Sequence, residues 1–262
     1  MNYAVEFGNV SLVRGGARIL DNITISIPIG ESVAVIGPNG SGKTSLMRLL
    51  KGDARPYYDE TGTTTCRLFG QERWNIFDLR KKMGVVSTDL QSRFDGSVSV
   101  GAVILSGFFR TMDVYKDHKI TDGMVAAAED AAARVGISDK ITRDIGKLSL
   151  GEMRRTLIAR ALVPKPEMLL LDEPMTGLDV VIMNQFRTMF DSLIESGTGI
   201  VMITHDLGDI PKNIRRVIMM KDGKIFGDGK KDDMLTSENV SALFSSPIKV
   251  TEENGTYRMG ML

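Results

Sequence analysis

"SVAVIGPNGSGKTSLMRLLK", residues 32 to 51, runs from a short apolar, β-branched segment through a glycine-rich turn into a helical pattern. Its centre, Gly37-Pro38-Asn39-Gly40-Ser41-Gly42-Lys43-Thr44, is a complete G-x-x-x-x-G-K-[ST] phosphate-loop motif. The context is the one the motif requires, a strand before it and a helix after it. Glycines permit positive φ and let backbone N–H groups converge on phosphate oxygens, and the helix N-terminus adds a positive partial charge. Lys43 is expected to span the β and γ phosphates, with the Thr44 hydroxyl on Mg²⁺ and Ser45 beside it at the start of the helix.

Outward from this loop, short apolar runs alternate with helical patterns. "SVAVIG" (32 to 37), "MGVVS" (83 to 87), "MLLLD" (168 to 172) and "GIVMITH" (199 to 205) read as parallel strands buried on both faces. Helices are expected at 42 to 51, about 122 to 135, 149 to 162 and 179 to 196. The last has Leu178, Val181, Ile182, Phe186, Met189 and Phe190 on or near one apolar face. Such alternation predicts an α/β domain. The first 30 residues alternate polar and apolar and predict an antiparallel strand pair beside the main sheet. Residues 97 to 147 carry helical patterns only, as an inserted lobe would. Hairpins are expected around Asp222-Gly223 and in "PIKVTEENGTYRM", with a short helix near 236 to 245 between them.

Two further elements carry chemistry. "MLLLDEP" brings Asp172 and Glu173 to the end of an apolar strand, where adjacent carboxylates are costly unless a cation waits. Mg²⁺ on Asp172 meets that need, and Glu173 is placed to act as general base on an attacking water. "KLSLGEMRRTLIARAL" (147 to 162) opens a helix with Ser149 three residues before Glu152, the spacing of a capping box. Capping alone is worth about 1 kcal/mol, so Ser149 either finishes the helix or also faces a ligand.

Bulk properties narrow the rest. The 262 residues carry 33 basic and 33 acidic side chains, with no basic run, so nucleic acid is not an expected partner. Cys66 has no possible internal mate, which fits a reducing compartment and an ordinary thiol in a strand. No window reaches 18 consecutive apolar residues, so no membrane span is expected. The 16 methionines are scattered, as core filling would have them.

As a set, the phosphate loop, "LSLGE" from Leu148, "LLLDEP", "MTGLD" (175 to 179) and "ITHD" (203 to 206) resemble the ATPase domain of the ATP-binding cassette (ABC) family over roughly residues 4 to 230. The chain is similar to importer-type and molybdate-type ATP-binding subunits of that family. The resemblance implies an α/β phosphate-loop NTPase with a mixed central sheet, an N-terminal antiparallel β part and an inserted helical lobe. It implies one cassette over 1–262, with the core in 1–96 and 148–230, the lobe in 97–147 and a C-terminal extension at 231–262. The implied activity is Mg²⁺-dependent ATP hydrolysis by a dimer, in which two identical subunits close over two ATP molecules and drive a separate transmembrane permease, an importer. A cytoplasmic protein, peripheral on the inner face of the membrane, follows. A soluble cassette acting as a mechanical clamp on a macromolecule is the alternative.

The resemblance also assigns roles. Ser149, Gly151 and Glu152 would contact the γ-phosphate of ATP held by the other subunit, so capping box and ligand site coincide. His205 would sense the γ-phosphate. Asp179 would lie at the dimer seam, or cap its helix, or both. Arg14 stands where the family often stacks an aromatic on adenine, and either stacks or is solvated. For the coupling glutamine that completes the Mg²⁺ site, either Gln91 reaches the ion or Thr88 and Asp89 replace it. "SVSVGAVILSGFF" (97 to 109) either docks on a permease or fills the lobe's own core.

Overall fold

The computed structural model describes residues 2–58, 64–87, 90, 94–109, 111 and 119–262. Strands β3 (Val33–Ile36), β5 (Met83–Val86), β6 (Met168–Asp172) and β7 (Gly199–Thr204) form with β8 (Arg216–Lys221) and β9 (Lys224–Lys230) a six-stranded sheet ordered β5-β6-β7-β3-β8-β9. All pairs are parallel except the β8–β9 hairpin, whose turn places Asp222 at φ 50° and Gly223 at φ 74°. Two successive positive φ values make the turn that matches strand twist, which is why Asp-Gly stands there.

The four apolar runs are buried because both faces of this sheet are covered. Ala34, Ile36, Leu169, Leu171 and Met202 point into one core, and Val33, Val35, Met168, Leu170 and Val201 into the other, with the period of two that a strand imposes. The first core is covered by helices, the second by α1 (Lys43–Leu50) and a separate antiparallel sheet. That sheet holds β1 (Tyr3–Arg14), β2 (Ala17–Pro28) and β4 (Thr65–Leu68), ordered β2-β1-β4. Its third strand, and helix α2 (Ile76–Lys82), were not visible in the sequence pattern; four residues with one buried side chain give no periodicity to read. Cys66 does lie in a strand, β4.

Between β5 and β6 the described chain is helical: α3 (Val100–Phe109), α4 (Asp122–Val135), single turns at Ser138–Lys140 and Ile145–Lys147, then α5 (Leu150–Leu162). Val100, Val103 and Ile104 of α3 are fully buried with Ala131, Ala132, Leu157 and Ile158. The 97-to-109 stretch thus fills core along that face of α3.

Helix α6 (Val180–Glu195) buries Phe186, Met189, Phe190 and Leu193, as its spacing required. Val181 differs from expectation: it is 63% exposed, beside Val180 at 74%. In the first turn of α6 the helix has only begun to lean on the core, so its stripe starts at Ile182, half-buried. The chain continues through α7 (Lys231–Met234) and α8 (Ser237–Phe244) to the hairpin β10 (Ile248–Glu253) and β11 (Thr256–Met261).

Candidate active site

Register decides where the chemistry meets. Ile36 pairs with Thr204 and Asp172 with Ile203, so the carboxyl ends of β3, β6 and β7 finish at one edge. Gly37, the Asp172-Glu173 pair and His205 leave the sheet side by side, at the kind of crevice where open α/β sheets bind ligands.

The loop after β3 is shaped by close packing. A Cβ on Gly37 would stand 2.2 Å from the Met220 carbonyl oxygen, and one on Gly42 would stand 2.8 Å from Leu20 Cδ2. Gly223 N–H donates to Ser41 O at 3.1 Å, so the β8–β9 turn braces the loop. Gly42, at φ 101°, precedes α1 without any side-chain cap, and among the described residues no hydrogen bond occupies the N–H groups of Lys43, Thr44 or Ser45. An anion at that helix end would satisfy them.

Lys43 is buried, and its Nζ donates to Gly37 O at 2.6 Å and Pro38 O at 2.9 Å. Burial pushes its ammonium below the ordinary lysine range, while the charges of Glu173 and Asp172 pull it back up. Ser41 Oγ is the buried polar side-chain atom left without a partner among the described residues. A loop with free donors, a half-satisfied lysine and an orphaned hydroxyl fits a polyphosphate. Thr44 is exposed and Asp172 half-buried at the adjoining strand end. One hydroxyl and one carboxylate, completed by substrate phosphates and water, is a donor set suited to Mg²⁺, which needs no cage of protein carboxylates.

Glu173 is the strained point. Its φ of 48° is left-handed, a conformation that a non-glycine residue keeps only where its surroundings hold it. Its N–H donates to Ile203 O at 2.9 Å. Its carboxylate is held on both oxygens: His205 Nδ1 lies 3.1 Å from Oε1, and Thr176 Oγ1 donates to Oε2 at 3.2 Å. With the carboxylate as acceptor, the imidazole carries its proton on Nδ1. Both side chains keep contact with solvent, at 32% for Glu173 and 45% for His205.

The turn after β7 is fixed from below. Thr204 Oγ1 donates to Asp209 Oδ2 at 2.6 Å, and Asp206 Oδ1 accepts from Gly208 N–H at 2.8 Å. Burial pushes the Asp209 carboxyl above the ordinary range, Thr204's hydroxyl opposes that, and Asp206 adds to it.

The serine-led helix forms the capping box its spacing predicts. Ser149 Oγ accepts from Glu152 N–H at 3.3 Å, and Glu152 Oε2 accepts from Ser149 N–H at 2.8 Å, which holds the Glu152 carboxyl below its usual range. Ser149 is exposed; its N–H and hydroxyl are bonded to Glu152, and its carbonyl accepts from Met153 N–H at 2.9 Å. Gly151 is buried; a Cβ there would come 3.1 Å from Ile182 Cγ2. Within one chain, then, no hydrogen bond among the described residues joins Ser149 to Lys43 or Glu173, whereas those two, Asp172 and His205 share one edge.

Asp179 caps α6, accepting from Val181 N–H at 2.9 Å and Ile182 N–H at 3.0 Å. Arg14 is exposed at the tip of the β1–β2 hairpin, opposite Ala17 in register; the same hairpin touches the phosphate loop through Ile19 and Leu20. Gln91, with Thr88 and Asp89, lies outside the described residues. Sequence reasoning missed Thr176, Asp209 and Arg154. Arg154 donates to the carbonyls of Glu173 and Thr176, yet in "MRRT" nothing distinguishes it from Arg155.

Comparison with known proteins identifies a family. A family model described as ABC transporter matches residues 20–176. The uncharacterised ABC transporter ATP-binding protein YlmA of Bacillus subtilis is 32% identical over 94% of this chain and 92% of its own length. The hemin import ATP-binding protein HmuV of Escherichia coli O157:H7 is 32% identical over 91% of each chain. Among solved structures, cbiO1 of Clostridium perfringens, part of the ABC transporter complex cbiONQ, superposes with a TM-score of 0.79 at 24% identity, covering 92% of this chain and 94% of its own.

Proposed function

The chain belongs to the ABC transporter family, and on that premise we propose that it is the Mg²⁺-dependent ATPase subunit of an importer, working as a homodimer on a separate membrane permease. The observation that carries the catalytic part is the meeting of Lys43, Asp172, Glu173 and His205 at one sheet edge, with Glu173 held on both carboxylate oxygens. The importer reading draws on relatives whose names record import, of hemin for HmuV and of cobalt for the Rhodobacter capsulatus protein CbiO.

In this reading residues 37 to 45 wrap the phosphates, Lys43 leaves its loop carbonyls for the β and γ oxygens, and Arg14 lies against the base. Thr44 and Asp172 would hold Mg²⁺, which would supply positive charge to stabilise the phosphates in the reaction. Glu173 takes a proton from the water that attacks the γ-phosphorus in line, and His205, already bonded to that carboxylate, keeps it aimed and meets the γ-phosphate.

The exposed serine end of α5 supplies the other half of a second chain's site. Ser149 and the Gly151 N–H meet its γ-phosphate, Glu152 stabilises the turn, and Asp179 with Val180 and Val181 lies at the seam. An anion at such a helix end is worth roughly 0.3 to 1 kcal/mol when exposed and about 2 when partly buried. Two of these contacts make ATP a bridge between subunits, so hydrolysis releases them. The chain would then sit on the cytoplasmic face of a membrane.

Complementation tests this directly. Glu173→Gln and Ser149→Arg should each abolish steady-state ATP turnover alone. Mixed, they should regain it, since one site of the mixed dimer then has an intact base and an intact serine. Full activity of either variant by itself overturns the shared-site reading. Failure of the tagged protein to retain any membrane-spanning partner on purification from native membranes overturns the transporter reading.

A further inference from the structure

We propose that Arg154 is a positioning residue for ATP hydrolysis, its buried guanidinium fastening the main chain of the turn that carries Glu173. The proposal rests on the reading of Glu173 as general base. Arg154 sits one and a half turns into α5 from Ser149 and is 7% exposed. Nη1 donates to Glu173 O and Nη2 to Thr176 O, each at 2.9 Å. A planar fork delivering two parallel donors is what guanidinium provides and ammonium does not.

The two carbonyls bracket the part of the turn under strain. Glu173 is left-handed, and Thr176 supplies the hydroxyl that holds Glu173 Oε2. Without Arg154 the Glu173 carbonyl would keep the Thr176 N–H contact, which is long at 3.4 Å. Ile203 would still hold the N–H side of Glu173, but nothing comparable would fix the carbonyl side. The turn could then relax towards ordinary φ and swing the carboxylate off its line.

Burial pushes the Arg154 guanidinium below its ordinary range, and the fields of Asp209 and Glu173 oppose that. Its hydrogen bonds nevertheless run to main-chain carbonyls, so it sets backbone geometry. It also shares one rigid helix with Ser149 and Gly151. A nucleotide bound at the serine end by the neighbouring chain's loop would therefore bear, through α5, on this chain's own base. Arg155 offers a control: its guanidinium turns the other way, to Val135 O and Gln185 Oε1.

The test compares Arg154→Met, Arg154→Lys and Arg155→Met in the full-length protein, reading kcat, KM for ATP, affinity for a fluorescent ATP analogue and thermal unfolding. Arg154→Met should lose about 10- to 100-fold in kcat, the range a small misplacement of a catalytic group produces. KM and analogue affinity should stay within about threefold, because the phosphate loop is untouched. Arg154→Lys should recover part of kcat. Arg155→Met should unfold at lower temperature and keep its kcat.

Equal kcat in Arg154→Met and the unaltered protein, or a loss confined to KM and analogue affinity, overturns the proposal. Should Arg154→Met not fold, Arg154→Lys carries the same comparison, and an unchanged kcat there overturns it. The outcomes separate from those of the functional reading: a fully active Glu173→Gln removes both, whereas an inactive Glu173→Gln with a fully active Arg154→Met removes only this one.

Discussion

Alanine at two glycines of the phosphate loop separates two physical reasons for glycine. Gly40 sits at φ 82° with nothing within 4 Å of the point a Cβ would occupy. Alanine there meets only the left-handed backbone cost, roughly 1 kcal/mol. Gly37 is outside the left-handed region, but its Cβ would stand 2.2 Å from Met220 O and 2.8 Å from Ser41 Oγ. Met220 lies in β8, paired with β9 and beside β3, so its carbonyl moves only if the sheet moves. Restoring an ordinary contact of 3.4 Å or more needs a shift of over 1 Å in backbone. Overpacking costs typically 1–3 kcal/mol, and with backbone as the obstacle the upper end applies, about 3 kcal/mol. At roughly 2–4 °C per kcal/mol for a chain of this size, Gly40→Ala should lower Tm by about 2–4 °C and Gly37→Ala by about 6–12 °C. Far-UV circular dichroism melts measure both. ATP affinity should fall more in Gly37→Ala, whose added methyl displaces Ser41. A Gly37→Ala protein that melts at or above Gly40→Ala would refute the packing argument.

Two further outcomes follow from buried groups. Burial pushes the Cys66 thiol up to about 11, with Glu72 adding to the shift, so at pH 8 alkylation by iodoacetamide should run roughly 100-fold slower than for an ordinary thiol. The rate should keep rising tenfold per pH unit beyond 9; a plateau near 9 contradicts that burial. Asp209 is raised above 3.8, so the folded state holds its proton more tightly than the unfolded state does. Stability contributed by that proton is present below 3.8 and is lost as pH rises from there through the raised folded value. Measured by urea midpoints, the unaltered protein should therefore lose ground to Asp209→Asn with rising pH, and gaining ground would contradict it.

The chain's own order of residues determined the phosphate loop, the acid-ended strand, the capping box, the longer helices and both late hairpins, because each of these is a local pattern; α2 and α7 were not among them. "SVAVIG" reads as a doubly buried strand from six residues, and Ser149 with Glu152 form their box within one turn. β4 and the exposure of Val181 escaped that reading, since a four-residue strand has no period and a helix's first turn takes its burial from elsewhere. Only tertiary structure decided that Ile36 pairs with Thr204 and Asp172 with Ile203, which puts Lys43, Glu173 and His205 at one edge. It alone gave Glu173 its left-handed φ and sent Arg154, not Arg155, to the turn that carries Glu173. Those choices depend on which strands neighbour each other and which face of α5 meets the sheet. They are long-range packing outcomes, and no window of sequence contains them.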